Sequence, residues 1–148
     1  MDTLLAFLAV LTTLTLASAV RRVPAGKAYT LRRGGKVVRV LPEGTHFIRP
    51  WFERVGHKID LNGHTLRIER PLAGGDARAT VYWQVLEPAQ ADAVLDKVDE
   101  LIRRGAEETL AAEPAADGHN LGQRIKQRLN GALRERGMLV TRVEFDRS

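Results

Sequence analysis

The start of the chain is an uncharged, mostly hydrophobic run, and hydrophobic residues become periodic only beyond it. Residues 3–20 carry no charged side chain, and the run ends at Arg21-Arg22. A helix rises 1.5 Å per residue, so this run would span roughly 27 Å, close to the ~30 Å hydrocarbon core of a bilayer. Its Thr and Ser hydroxyls can bond to carbonyls of their own helix. Residues 1–20 are therefore predicted to form a transmembrane anchor.

A cleaved signal peptide is the alternative interpretation of the same segment. Ala17-Ser18-Ala19 fits the small-residue cleavage pattern, and cleavage after Ala19 would release a secreted or periplasmic binding domain. Against cleavage, Met1-Asp2 has no Lys or Arg, whereas Arg21-Arg22 and Lys27 follow the run. By the positive-inside rule this asymmetry places the rest of the chain in the cytoplasm. We expect a retained single-pass anchor in a bacterial inner membrane.

Short apolar runs bounded by turn residues predict β-strands beyond the anchor. Gly34-Gly35 accepts the positive φ angles of a tight turn and predicts a β-hairpin, and Asn62-Gly63 predicts a second one. Residues 71–76 are predicted to form a loop. The strand after it alternates most clearly, with every second residue from Ala77 to Val85 on one apolar face. The predicted strands are 28–33, 36–41, 45–48, 55–61, 64–70 and 76–85.

The apolar period then changes from two to 3.6, which predicts two helices. One stripe runs from Ala91 to Ile102, and a second from Leu121 to Leu133 has Asn120 as its N-cap and Gly137 as its stop. Between them, residues 113–119 read as a polar loop. A closing strand over 138–145 has an alternation that breaks at Thr141-Arg142. This order predicts an α+β fold, with one domain over 21–148 in which two helices pack on an antiparallel or mixed sheet.

Composition and charge narrow the function classes. The 44% hydrophobic and 28% charged residues are typical of a globular domain, and the absence of Cys excludes disulfides, thiolate metal sites and a Cys nucleophile. Residues 21–70 hold 12 basic and 4 acidic side chains, a net +8, whereas residues 71–148 hold 11 and 13, a net −2. Aromatic residues are not interleaved with the basic ones, so nucleic acid is not expected as a partner. Anionic phospholipid is the nearer partner for an anchored chain.

Two groups of residues are candidates for a functional site. His57 and His64 would face each other across the Asn62-Gly63 hairpin, and with Asp60 they could hold a metal ion in a small enzyme; the simpler interpretation is a pair of exposed hairpin residues. Residues 47–52 (Phe-Ile-Arg-Pro-Trp-Phe) concentrate the aromatic side chains. These aromatics either fold under the sheet as core or rest in the membrane interface, where Trp is favoured.

Several segments, taken in order, resemble one known family. They are Val23-Pro24-Ala25-Gly26, the hairpin from Leu31 to Leu41, Pro42-Glu43-Gly44-Thr45-His46-Phe47, Asp60-Leu61, Val81-Tyr82-Trp83-Gln84-Val85 before Glu87-Pro88, and Val140-Thr141-Arg142-Val143-Glu144-Phe145. Together they resemble the stomatin/prohibitin/flotillin domain, known as SPFH or Band 7, over nearly the whole chain. An apolar anchor directly before the domain also fits this resemblance.

The resemblance implies a membrane scaffold that organises membrane patches and regulates membrane proteases or channels. It implies no enzymatic activity, catalytic residue, metal or cofactor. The family's long coiled-coil helix would begin where the chain ends at Ser148, so we expect a short form that makes small homo-oligomers rather than a closed ring. The lipid head-group contacts are predicted at Arg21, Arg22, Lys27, Arg32, Arg33 and Arg39, and the membrane-interface contacts at Trp51 and Phe52.

Overall fold

The N-terminal apolar run forms helix α1 (Asp2–Ala19) in the computed structural model, which describes residues 1–72, 75–112 and 118–147. With a mean hydropathy of 1.7, α1 is long and apolar enough to cross a membrane, and none of it is buried against the rest of the chain. The predicted hydroxyl bonds are present: Thr12 Oγ1 donates to the Leu8 carbonyl at 2.6 Å and Thr13 Oγ1 to the Ala9 carbonyl at 2.8 Å. These polar groups therefore need no water.

The chain divides into two compact units, residues 1–60 and 61–148. The first contains α1 and five strands: β1 (Val20–Val23), β2 (Lys27–Arg33), β3 (Lys36–Leu41), β4 (Gly44–Phe47) and β5 (Arg54–Asp60). β1 pairs with β4, and the other three form an antiparallel sheet in the order β3-β2-β5. The predicted β2–β3 hairpin is confirmed, since Gly34 and Gly35 have φ angles of +57° and +83°. A small core unites the unit through Val23, Leu31, Leu41 and Ile48.

The second predicted hairpin is wrong. Its two strands form, but β5 pairs with β2, and β6 (His64–Leu72) pairs with β7 (Gly75–Val85). A two-residue hairpin of the type that favours Asn-Gly needs positive φ angles, and neither Asn62 nor Gly63 has one. The two residues instead lie just beyond the boundary between the units.

The second unit is built on an antiparallel sheet in the order β6-β7-β8, with β8 at Met138–Arg147. The alternation predicted for β7 is confirmed, because Ala77, Ala79, Val81, Trp83 and Val85 are all buried. Strand pairing continues to Leu72 opposite Gly75, so the predicted loop over 71–76 is wrong, with Ala73 and Gly74 outside the described residues.

The broken alternation near Thr141 corresponds to a β-bulge. Tyr82 pairs with Arg142 and Trp83 with Val140, which leaves Thr141 without a partner in register. The side-chain amide of Asn130 meets the backbone here, donating to the Val140 carbonyl at 3.1 Å and accepting from its N–H at 2.8 Å. Beside the bulge, the Tyr82 hydroxyl donates to the Glu144 carboxylate at 3.0 Å, and this hydrogen bond raises the pKa of Tyr82.

The helices of the second unit begin and end at other residues than the apolar periodicity predicts. The stripe from Ala91 to Ile102 is divided between α2 (Pro88–Ala91), a 3-10 turn (Leu95–Lys97) and α3 (Val98–Ala112). Val94, with φ −125° and ψ 1°, interrupts the helical path. Helix α4 (Gly118–Leu133) begins before Asn120, so that residue is not its N-cap, and only 118 and 119 of the predicted loop lie within the described residues. The stripe on α4 is buried at Leu121, Ile125, Leu129 and Leu133, whereas Ala132 is exposed.

Gly137 generates a prediction for stability. It ends the turn after α4 with φ +70°, as predicted, and a Cβ there would lie 2.6 Å from the Glu87 carbonyl oxygen. Gly137→Ala should therefore lower the free energy of unfolding by at least about 1–2 kcal/mol. Gly131→Ala is the matched control, because this helical glycine faces open space and alanine should stabilise by about 0.5–1 kcal/mol. Thermal unfolding followed by circular dichroism checks both, and equal effects would contradict the assignment.

Candidate membrane interface

Helix α1 continues into strand β1 without a linker. Ala19 is the last helical residue, and Val20 already has extended angles of φ −90° and ψ 125°. The N–H of Ile48 donates to the Ala19 carbonyl at 2.8 Å, and Val20 pairs with Phe47. The end of β4 is therefore held against the C-terminal end of α1.

The aromatic turn, defined as residues 47–52, begins at this junction. Phe47, Trp51 and Phe52 are 69%, 80% and 66% exposed. The interpretation of these aromatics as core is wrong for all three. Only Ile48 points inward, where it joins the core of the first unit. Pro50 interrupts any further strand, and the chain instead turns back through a hydrogen bond from the Phe52 N–H to the Arg49 carbonyl at 3.0 Å.

Glu53 fixes the base of the aromatic turn. Its side chain is only 10% exposed, and its Oε2 accepts from the Arg49 N–H at 3.1 Å. The Arg33 and Arg39 guanidinium groups lie 3.5 and 3.6 Å from the same carboxylate. Arg39 also donates to the Phe47 carbonyl at 2.9 Å. One carboxylate thus links the turn to both strands of the β2–β3 hairpin.

The six predicted head-group residues occupy three kinds of position. Arg21 and Arg22 are exposed on β1, directly after α1. Arg33 and Arg39 are half-exposed but already engaged by Glu53. The remaining two lie elsewhere on β2: Lys27 is exposed opposite Asp60 of β5, and Arg32 is half-buried opposite Arg54. The structure therefore brings the first four to the helix end or the base of the turn. Arg32 lines a cavity together with Phe52 of the turn, whereas Lys27 lies at the opposite end of β2.

Two exposed residues of the aromatic turn were not among the predicted membrane contacts. Arg49 is exposed within the aromatic turn, and Phe47 is exposed at the end of β4. The signal for Arg49 is its place between aromatic residues in Phe-Ile-Arg-Pro-Trp-Phe, since guanidinium groups and Trp share a preference for the membrane interface. The signal for Phe47 is strand alternation, because two adjacent residues of an extended segment face opposite sides and only one of Phe47 and Ile48 can then join the core.

The histidine hypothesis rests on a hairpin that does not form. The backbone N–H of His57 donates to Thr30 Oγ1 at 2.9 Å within the first unit. The His64 ring stacks on Trp83 in the second unit, with ring centroids 4.4 Å apart and planes inclined by 17°. The prediction that these imidazoles face each other across Asn62-Gly63 is wrong. Within residues 1–72, 75–112 and 118–147, no group of three or more His, Asp or Glu side chains is placed to hold a metal ion.

Neither a scan against protein-family models nor a search of the curated proteins gives a match to this chain. The resemblance to the SPFH family therefore stays a prediction.

The contacts of Glu53 generate a second prediction. Glu53→Gln keeps the shape of the side chain but removes the charge that faces Arg33 and Arg39. We expect the free energy of unfolding to fall by about 1–3 kcal/mol, the range for leaving a buried polar group without its partner. Glu100→Gln is the control, because its pair with Arg104 (3.7 Å) is exposed and should change stability by less than about 0.5 kcal/mol. Urea denaturation measures both variants, and a Glu53 effect as small as that of Glu100 would contradict this role.

Proposed function

We propose that the chain is a single-pass membrane protein whose first unit rests on the bilayer through the aromatic turn. The observation that carries this proposal is the junction between α1 and the β1–β4 pair. The bond from Ile48 to Ala19 and the pairing of Val20 with Phe47 hold the turn beside the point where α1 would leave the hydrocarbon. Trp favours this boundary because its ring is apolar and its N–H finds polar partners there.

Basic residues around the junction support contact with anionic head groups. Residues 1–60 carry ten Lys or Arg and four Asp or Glu, a net +6. Arg21, Arg22 and Arg49 are the strongest candidates because they are exposed and close in sequence to the helix end or the aromatics. Each should contribute about 1 kcal/mol of attraction to an anionic leaflet. Arg33 and Arg39 contribute less, since Glu53 already offsets their charge.

The orientation and the cellular role extend this proposal. Positive charge after α1 and none before it favour a cytoplasmic location for the rest of the chain, on the inner face of a bacterial inner membrane. The resemblance to SPFH proteins favours a non-enzymatic scaffold that organises membrane patches and acts on a membrane protease or another membrane protein. Self-association into small oligomers belongs to the same proposal. The α+β fold and the apolar N-terminal helix are compatible with it.

The depth of Trp51 tests the membrane contact directly. In the full chain reconstituted into liposomes, lipids brominated near the glycerol end of the acyl chain should quench Trp51 fluorescence more than lipids brominated near the chain end. The physical reason is that an interfacial indole lies near the first carbons of the acyl chains. The chain has two Trp residues, and the other, Trp83, is buried.

Trp51→Phe is the control for this experiment, because it leaves only the Trp83 signal. The variant should lose the position-dependent part of the quenching. Quenching that does not depend on bromine position, or that survives the substitution unchanged, would exclude the interfacial location of Trp51.

Retention of α1 is a separate prediction. The protein purified from the membrane fraction of expressing cells should have the intact mass of residues 1–148. A signal peptide has positive charge before its apolar run, whereas here the positive charge follows it. Mass spectrometry of the purified protein measures this. A chain that begins at Val20 would instead support the secreted or periplasmic alternative.

A further inference from the structure

Strand β6 forms a long, regular edge of the sheet in the second unit. It pairs with β7 through nine consecutive residue pairs without a register shift. The strands that the structure describes leave its other side unpaired. The opposite edge differs, since β8 carries the bulge at Thr141 and the Asn130 amide occupies the backbone groups of Val140. Proteins commonly blunt their sheet edges with bulges or with proline; β6 has no bulge, and its one proline, Pro71, lies near the end of the strand, three residues after Ile68.

The exposed face of this sheet carries two rows of side chains that end at β6 with opposite charges. One row runs across the strands through Asp146, Arg78 and Glu69 and ends in an acid. Within this row, Arg78 Nε lies 3.5 Å from Glu69 Oε1. The neighbouring row runs through Glu144, Thr80 and Arg67 and ends in a base. Both terminal side chains are exposed, whereas Ile68 between them is buried on the other face.

We propose that β6 is a self-association edge, on which β6 of a second copy of this chain pairs antiparallel about Ile68. In that register Arg67 of each copy lies opposite Glu69 of the other, because the pairing reverses the order of residues around a twofold axis. The row Asp146-Arg78-Glu69 then continues with a cation, so its charges alternate across the junction. The two sheets become one sheet of six strands.

Pro71 indicates which backbone groups of β6 face outward. Proline cannot donate to a strand ladder, so Pro71 in an edge strand favours an orientation in which its nitrogen points away from β7. Residues of the same parity, including Arg67 and Glu69, then direct their N–H and C=O groups outward as well. The two copies can exchange these backbone hydrogen bonds at the positions where their side-chain charges are complementary. This inference rests on the self-association that is part of the proposed function, but it concerns the second unit alone and does not depend on the membrane contact of the first.

A pair of charge reversals tests the register. In the full chain solubilised in detergent, Arg67→Glu places Glu opposite Glu, and Glu69→Arg places Arg opposite Arg. Each variant alone should self-associate at least about tenfold more weakly than the parent, because two symmetric pairs change from attraction to repulsion. A mixture of the two variants restores opposite charges at both positions and should associate as the parent does. Analytical ultracentrifugation with matched detergent density measures the three samples.

Arg103→Glu is the matched control, since it makes the same charge change at an exposed position on α3 and should leave association unchanged. Circular dichroism confirms that each variant is folded. A parent that is monomeric at all accessible concentrations would overturn the proposal. So would single variants that associate like the parent, which would place the contact on another surface.

Cysteine crosslinking provides a second readout in a chain that has no native Cys. An Arg67→Cys chain mixed with a Glu69→Cys chain should form a disulfide between copies, because directly opposed residues lie within the distance that a disulfide spans. Arg67→Cys mixed with Thr65→Cys should crosslink far less, since those residues are not opposed in this register. Equal crosslinking in the two mixtures would overturn the register even if the chain is dimeric.

Discussion

The hydrogen bond from the Ile48 N–H to the Ala19 carbonyl is the contact on which the arrangement of the first unit depends. The last carbonyls of a helix have no partner within the helix, and here the carbonyl of Ala19 accepts from Ile48, the residue directly after β4. Because β1 begins at Val20 and pairs with β4, the helix end becomes part of the sheet. The same short segment buries Ile48 and leaves Phe47 and Trp51 outside.

The charges of the first unit serve two purposes that the composition does not separate. Glu53 is nearly buried and gathers Arg33, Arg39 and the Arg49 backbone, which gives the aromatic turn a defined shape. Arg21 and Arg22 lie outside this cluster, exposed on β1 directly after α1. Part of the net positive charge of the first unit therefore stabilises its fold through Glu53. Only the basic side chains outside that cluster are available to attract anions.

Local signals predicted much of the fold, and non-local pairing accounts for most of what they missed. Gly34-Gly35 specifies a hairpin through its own φ angles, so the prediction needed no knowledge of distant residues. Asn62-Gly63 carries a similar signal, but β5 finds its partner in β2, and turn propensity cannot outweigh a sheet that binds the strand elsewhere. The exposure of Trp51 was not predictable from aromatic content. The exposure of Trp51 follows from the turn at Pro50 and from the burial of Ile48, which leaves the rest of the segment outside the core. The role of Glu53 was missed because its partners come from two other strands.

The absence of a linker between α1 and β1 has a mechanical consequence. A helix of 18 residues is near the lower limit for spanning a bilayer, so it has little spare length to take up by tilting. With α1 inserted as proposed, the shortfall in a thicker membrane would be met by local thinning or by drawing the flanking groups inward. Because β1 follows α1 with no residue between them, that displacement would reach the β1–β4 pair directly, and the depth of the aromatic turn would then vary with the hydrophobic thickness around the protein.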